Sequence, residues 1–194
     1  MAVRGVAITD DFNIVGPYKD VFRAFDRFSR SIGPSGLTLC RPKCGVLWPH
    51  SPMPSEVQAL ATERAIPTYL GTMETLGVLL GRGDSATHTW LDGQIESHAE
   101  FFRMILRPDL PVQAAMILLR MSAIPRLGYL TRVLPPRLTA THAATFDSLV
   151  LNNVIRKLGL PAALSDEAKQ TLSLPIRLGG FGLRSVASTC HVAF

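Results

Sequence analysis

Apolar residues recur along this chain with two different periods, and the change from one to the other falls near residue 80. The stretch Gly5–Gly16 comes first. Short runs rich in β-branched residues, Val6-Ala7-Ile8 and Ile14-Val15, flank the adjacent carboxylates Asp10 and Asp11, the pattern of a hairpin that presents acids at its turn. After Gly16-Pro17, the residues Tyr18, Val21, Phe22, Phe25, Phe28 and Ile32 recur at steps of three and four, which predicts a helix with one strongly apolar face. Gly33-Pro34-Ser35-Gly36 should stop it. Leu37 to Cys40 reads as a short strand, Arg41-Pro42 as a turn, and Lys43 to Trp48 as a second short strand. A proline-rich loop, a helix from Ser55 to about Ala65 and a strand or hairpin over Met73 to Leu80 complete this part, closed by Gly81-Arg82-Gly83.

From there on the pattern is helical only. Asp84 or Ser85 can cap a helix running to about Arg107, with Trp90, Leu91, Ile95, His98, Phe101, Phe102 and Ile105 on its inner side. Pro111 opens a second helix, which Pro125 should kink or restart and Pro135-Pro136 end. A third spans about Thr139 to Leu158 and ends at Gly159. A fourth follows a Ser165 cap with Asp166 and Glu167 in its first turn, where they complement the helix dipole. The glycines of Leu174-Pro175-Ile176-Arg177-Leu178-Gly179-Gly180-Phe181-Gly182-Leu183-Arg184-Ser185 do not have the spacing of a phosphate-cradling loop and read as a tight structural loop. The fold class is α+β, with residues 1–80 mixed and 81–194 all-α.

Composition narrows the class. The 194 residues are 47% hydrophobic, with mean hydropathy of +0.22, which excludes general disorder and predicts one domain or two small ones. The longest apolar run, Val112 to Ile124, is interrupted by Gln113, Arg120 and Ser122, so no membrane span is expected. No signal peptide is visible, and the expected compartment is intracellular, cytoplasmic or nuclear. Cys40, Cys44 and Cys190 form no disulfide framework; Cys40-x3-Cys44 with His50 lacks a fourth zinc ligand, so buried free thiols are expected.

Charge is distributed unevenly. Residues 1–80 carry eight Lys or Arg against seven Asp or Glu, whereas 101–160 carry Arg103, Arg107, Arg120, Arg126, Arg132, Arg137, Arg156 and Lys157 against only Asp109 and Asp147. Guanidinium forks suit phosphate oxygens, so this segment is either a phosphate-backbone surface or a solvated helical face. The Asp10-Asp11 pair is likewise either a solvated acidic turn or a divalent-metal site.

A resemblance bears on both alternatives. Ala7-Ile8-Thr9-Asp10-Asp11-Phe12, then Gly36 to Cys44, then Leu76 to Gly81, resemble in order the later palm motifs of reverse transcriptases, and most closely those of non-LTR retrotransposons. The runs Leu110 to Ala115, Pro125 to Pro136 and Leu174 to Ser185 are similar to the region C-terminal to the palm in the same elements. The resemblance implies the remnant of an antiparallel polymerase palm sheet over 1–80 and a thumb-like helical region over 81–194. It implies that Asp10 and Asp11 are catalytic and hold Mg²⁺, and that Lys43 lies near the phosphates of the incoming dNTP. Arg103, Arg107, Arg120, Arg126, Arg132 and Arg137 would hold an RNA/DNA template-primer. The family usually has an aromatic residue where Ile8 stands and Asn where Cys40 stands. Only nine residues precede Asp10, so the family's fingers and the strand bearing its remaining metal-binding aspartate are not within the chain. The expectation is a polypeptide that does not polymerise alone, or a non-catalytic helical module that binds nucleic acid.

Overall fold

The fold is that of a computed structural model in which residues 3–8, 11–81 and 83–194 are described. The chain is α+β and divides into two compact units: a mixed unit, Met1–Thr75 with Leu80–Arg82, and a helical unit, Leu76–Leu79 with Gly83–Phe194.

In the mixed unit, β1 (Arg4–Ile8) and β2 (Asp11–Val15) pair antiparallel with Arg4 opposite Val15 and Ile8 opposite Asp11. Thr9 and Asp10 lie outside the described residues. Helix α1 (Tyr18–Ile32) begins one residue later than Pro17, whose carbonyl accepts from the Asp20 and Val21 N–H groups. Its apolar face is shared out: Phe28 stacks on Phe12 of β2 with ring centroids 4.6 Å apart, and Phe22 is buried with Val57 and Ala61. Asp26, on the same helix, receives a two-pronged guanidinium from Arg64 at 2.8 and 2.7 Å, and Arg64 also lies over the Phe22 ring.

The strand expected over Leu37 to Cys40 does not form. Gly36 turns left-handed, Leu37 is exposed, and a 3-10 turn over Arg41–Lys43 follows at once, with Pro42 unable to donate to a ladder. Strand β3 is only Val46–Trp48. Helix α2 (Ser55–Glu63) then carries the chain across to β4 (Thr68–Leu70), which runs parallel to β3 with Val46 opposite Thr68. The expected antiparallel pairing therefore holds for β1 and β2 but not for β3 and β4. A crossover containing a helix returns the strand in the same direction, where a tight hairpin would reverse it. The described strands form three separate two-stranded sheets. The third joins β5 (Thr72–Thr75) to β6 (Val78–Gly81) through Leu76-Gly77, both with positive φ (51° and 69°), the backbone of a type I′ hairpin turn.

The helical unit begins with α3 (Asp84–Glu96) and α4 (Ala99–Ile105), where the sequence pattern predicts one continuous helix. The break has a local cause. Ser97 Oγ and His98 Nδ1 both take the Gln94 carbonyl, at 2.7 and 2.6 Å, and the His98 N–H turns to Ile95 O instead. Next, α5 (Val112–Leu118) runs through a π turn at Leu119–Ala123 into α6 (Ile124–Val133). Pro125 has no N–H for the carbonyl four residues back, and the Ile124 N–H reaches back to Leu119 O. The longest helix, α7 (Pro136–Leu158), starts at Pro136 and ends at a left-handed Gly159. It packs against α3, α4, α5 and α6, and centres the core on Phe146, with Leu91, Ile105, Leu119 and Val154 fully buried around it. Helix α8 (Asp166–Ser173) is capped by Ser165, as its sequence predicts. A further helix that the sequence pattern does not flag, α9 (Val186–Ala193), packs on α6 and α7. Among the described residues no helix is long and apolar enough to cross a membrane.

Candidate functional site

Of the residues expected to act in the mixed unit, Asp10 lies outside the described residues, whereas Asp11 and Lys43 line one small pocket of about 140 Å³. Local structure delivers them from separate elements. Asp11 opens β2, and Lys43 closes the 3-10 turn that precedes β3. Asn13, Glu74 and Thr75 add oxygen donors to the same wall, from β2 and β5. Gly45 admits this arrangement. A Cβ there would lie 2.7 Å from Met73 Sδ and 2.9 Å from the Tyr69 ring, so the chain approaches both side chains more closely than any other residue allows.

Cys44 lies in the same pocket. Burial pushes its thiol up, the neighbouring Cys40 adds to this, and its Sγ donates to the Cys40 carbonyl at 3.6 Å. It is therefore a protonated thiol at neutral pH. The expectation of three buried thiols needs correction: Cys190 is buried and Cys44 half-buried, but Cys40 is exposed because its segment pairs with no strand.

Mg²⁺ takes near-octahedral oxygen coordination. Asp11 and Glu74 put two carboxylates on the pocket, but among the described residues no three His, Cys, Asp or Glu side chains converge on a point that could hold a metal ion. The described donors do not complete the set.

The six arginines expected to contact nucleic acid fall into distinct environments. Arg103 forks onto Glu100 and Arg107 onto Asp109 at 2.9 and 2.6 Å, and Arg137 makes a single contact with Asp84 through one guanidinium nitrogen. These hydrogen bonds hold the Glu100 and Asp109 carboxyls below the usual carboxylate range. Arg126 lies over the Phe101 ring, 5.5 Å from its centroid.

Arg120 and Arg132 are different. Together with Arg184 they line a groove of about 670 Å³ whose floor includes Met121, Ile124 and Ile176. Its walls are α6, α9 and the glycine-rich loop before α9. That loop is held shut by the Gly182 N–H donating to Leu174 O at 2.8 Å. At Gly182 φ is +69°, and a Cβ would lie 2.9 Å from Arg120 Cδ, so the missing side chain is what lets the Arg120 stem cross the loop. Arg184 has no precedent among the residues that charge counting selects. The signal was available: it is the last charged residue of a stretch whose glycines have to bring the backbone close to something.

Compared with known protein families, curated proteins and solved structures, the chain matches none.

Proposed function

We propose that the chain is the palm-and-thumb end of a reverse transcriptase of the non-LTR retrotransposon kind. In this reading the mixed unit holds the phosphates of a nucleotide and the helical unit holds nucleic acid. One observation carries it: Asp11 and Lys43, which the motif resemblance singles out from separate segments, line the same pocket. A carboxylate-lined pocket with an adjacent ammonium fits a metal-bound triphosphate better than it fits an apolar ligand. Among the described residues Asp11 and Glu74 are the carboxylates on this pocket, and the polymerase reaction in this reading needs further ligands than these. RNA-templated DNA synthesis belongs, in this reading, to a protein carrying further ligands.

A second reading, a non-catalytic nucleic-acid-binding helical module, is favoured by the groove arginines, which lie wholly within the helical unit. Calorimetric titration with dATP and Mg²⁺ separates the two. Heat of binding in the wild type, lost in Lys43→Ala and in the double variant Asp10→Asn/Asp11→Asn, is the outcome expected of the polymerase reading. If only an RNA–DNA hybrid binds, with salt-dependent affinity that both variants retain, the helical-module reading stands instead. Primer extension on an RNA template should give no product with the purified chain. Asp10-dependent incorporation would overturn the view that it is catalytically incomplete.

A further inference from the structure

The groove between α6, α9 and the glycine-rich loop has features that a surface for duplex phosphates does not need. Its three arginines, Arg120, Arg132 and Arg184, have no ion-pair or hydrogen-bond partner among the described residues, in contrast to Arg103, Arg107 and Arg137 in the same unit. Among the described residues no Asp or Glu lines it. Nearby Asp147 is fully engaged, accepting from Ser185 Oγ and from the Val186 and Ala187 N–H groups. The concavity therefore offers uncompensated positive charge above an apolar floor. Its volume lies in the ~300–1,000 Å³ range of sites that enclose small organic groups.

Two elements fix that charge in place. The π turn at Leu119–Ala123 carries Arg120 and Met121 to the groove, and Gly182 gives the Arg120 stem its path. Tyr129 stands on the wall with its hydroxyl donating to Leu76 O at 2.7 Å, which sets the orientation of a ring that is 42% exposed. An oriented, half-exposed aromatic ring beside unpaired guanidiniums is a stacking platform with phosphate ligands next to it.

We infer that this groove binds a single-stranded segment of nucleic acid, phosphates on Arg120, Arg132 and Arg184 and unstacked bases against Tyr129 and the apolar floor. The inference rests on the nucleic-acid reading above and adds to it the strandedness of the ligand. In a duplex the bases are stacked inward, so the floor and the tyrosine face would stay bare; a single strand satisfies both halves of the site. An acidic polypeptide would satisfy the arginines but leave the aromatic face without a flat partner.

The test is fluorescence anisotropy with a short fluorescein-labelled oligothymidylate and a blunt duplex of equal length, across a salt series. The triple variant Arg120→Ala/Arg132→Ala/Arg184→Ala should weaken oligothymidylate binding at least about tenfold and reduce the salt slope by roughly 2, as expected for three lost single-strand phosphate contacts. Gly128 lines the groove on α6, and a Cβ there meets nothing within 4 Å. Gly128→Phe should fill the groove without changing charge and also weaken binding at least about tenfold, one lost stacked base's worth. Circular dichroism checks the folds. Should the Phe variant not fold, Ile176→Glu, at a position 57% exposed, should produce the same loss by placing a carboxylate in the groove.

Wild-type affinity in Gly128→Phe and Ile176→Glu would overturn the groove proposal and leave nucleic-acid binding standing elsewhere. Duplex bound as tightly as the single strand would overturn the strandedness. Displacement by polyglutamate as effective as by unlabelled oligothymidylate would reassign the groove to an acidic polypeptide. Binding of neither nucleic acid at low salt would remove the proposal and the reading beneath it together.

Discussion

His142 sits on α7 with only 7% of its surface exposed, and its Nε2 lies 3.3 Å from the His88 carbonyl and 3.6 Å from an Asp92 carboxylate oxygen, both on α3. Burial lowers its pKa below the ordinary histidine value of 6.5, the His88 ring packed beside it adds to this, and Asp92 opposes both without cancelling them. The folded protein therefore binds the proton less readily than the unfolded chain. Linkage sets the sign: stability is fully present above about pH 6.5 and is lost as pH falls from there through the depressed folded value. Thermal melts between about pH 8 and about pH 5 should show a fall in Tm that His142→Gln flattens. An unchanged pH dependence in that variant would assign the effect to another group. At this scale little is legible in the sequence. His142 is one of five histidines, and nothing in its neighbours along the chain distinguishes a residue buried by a helix about fifty positions away. Arg64 is the same case: its fork onto Asp26 and its place over Phe22 come from another helix altogether.

At the scale of elements, those with a regular period and local boundary signals were legible. The apolar face of α1, the Ser165 cap of α8 and the left-handed Gly159 that ends α7 are each written within a few adjacent residues. What escaped were elements decided by distant partners. Strand β4 exists because α2 returns the chain alongside β3, whereas Leu37 to Cys40 pairs with no strand among the described residues. Helix α9 is the clearest instance. Ser185 caps it locally, but its first N–H groups are also taken by Asp147, which a charge count enters merely as an acid among bases. Asp147→Ala leaves the Val186 and Ala187 N–H groups unanswered and should cost about 2–3 kcal/mol in urea denaturation. Asp147→Asn keeps one accepting oxygen and should cost less. Equal losses in the two variants would mean that packing, not capping, sets the value.

For the molecule as a whole, the sequence pattern places its change of character near residue 80, and the compact units change over in that neighbourhood, but not at a single cut. The mixed unit ends at Thr75 and resumes at Leu80, while the intervening Leu76–Leu79 counts with the helices. A linear reading of periodicity has no means of representing that. The candidate site was partly legible for the opposite reason: Asp11 and Lys43 are selected by motif, and the pocket they share is local to the mixed unit.

The tip of the β5–β6 hairpin thus counts with the helical unit and gives its core one side chain, Val78, which is only 4% exposed. Heredity and protein engineering both tend to cut chains at linear borders. A piece beginning at Gly83 would contain every described helix of that unit yet lack one of its core side chains. Supplying a synthetic peptide spanning residues 72–81 to that piece should raise its Tm, and the same peptide carrying Val78→Ala should raise it less, by the equivalent of about 1–2 kcal/mol. No difference between the two peptides would show that the helices close over the gap unaided. Recombination that inherits the helices without the tongue of chain before them therefore inherits an unfilled socket.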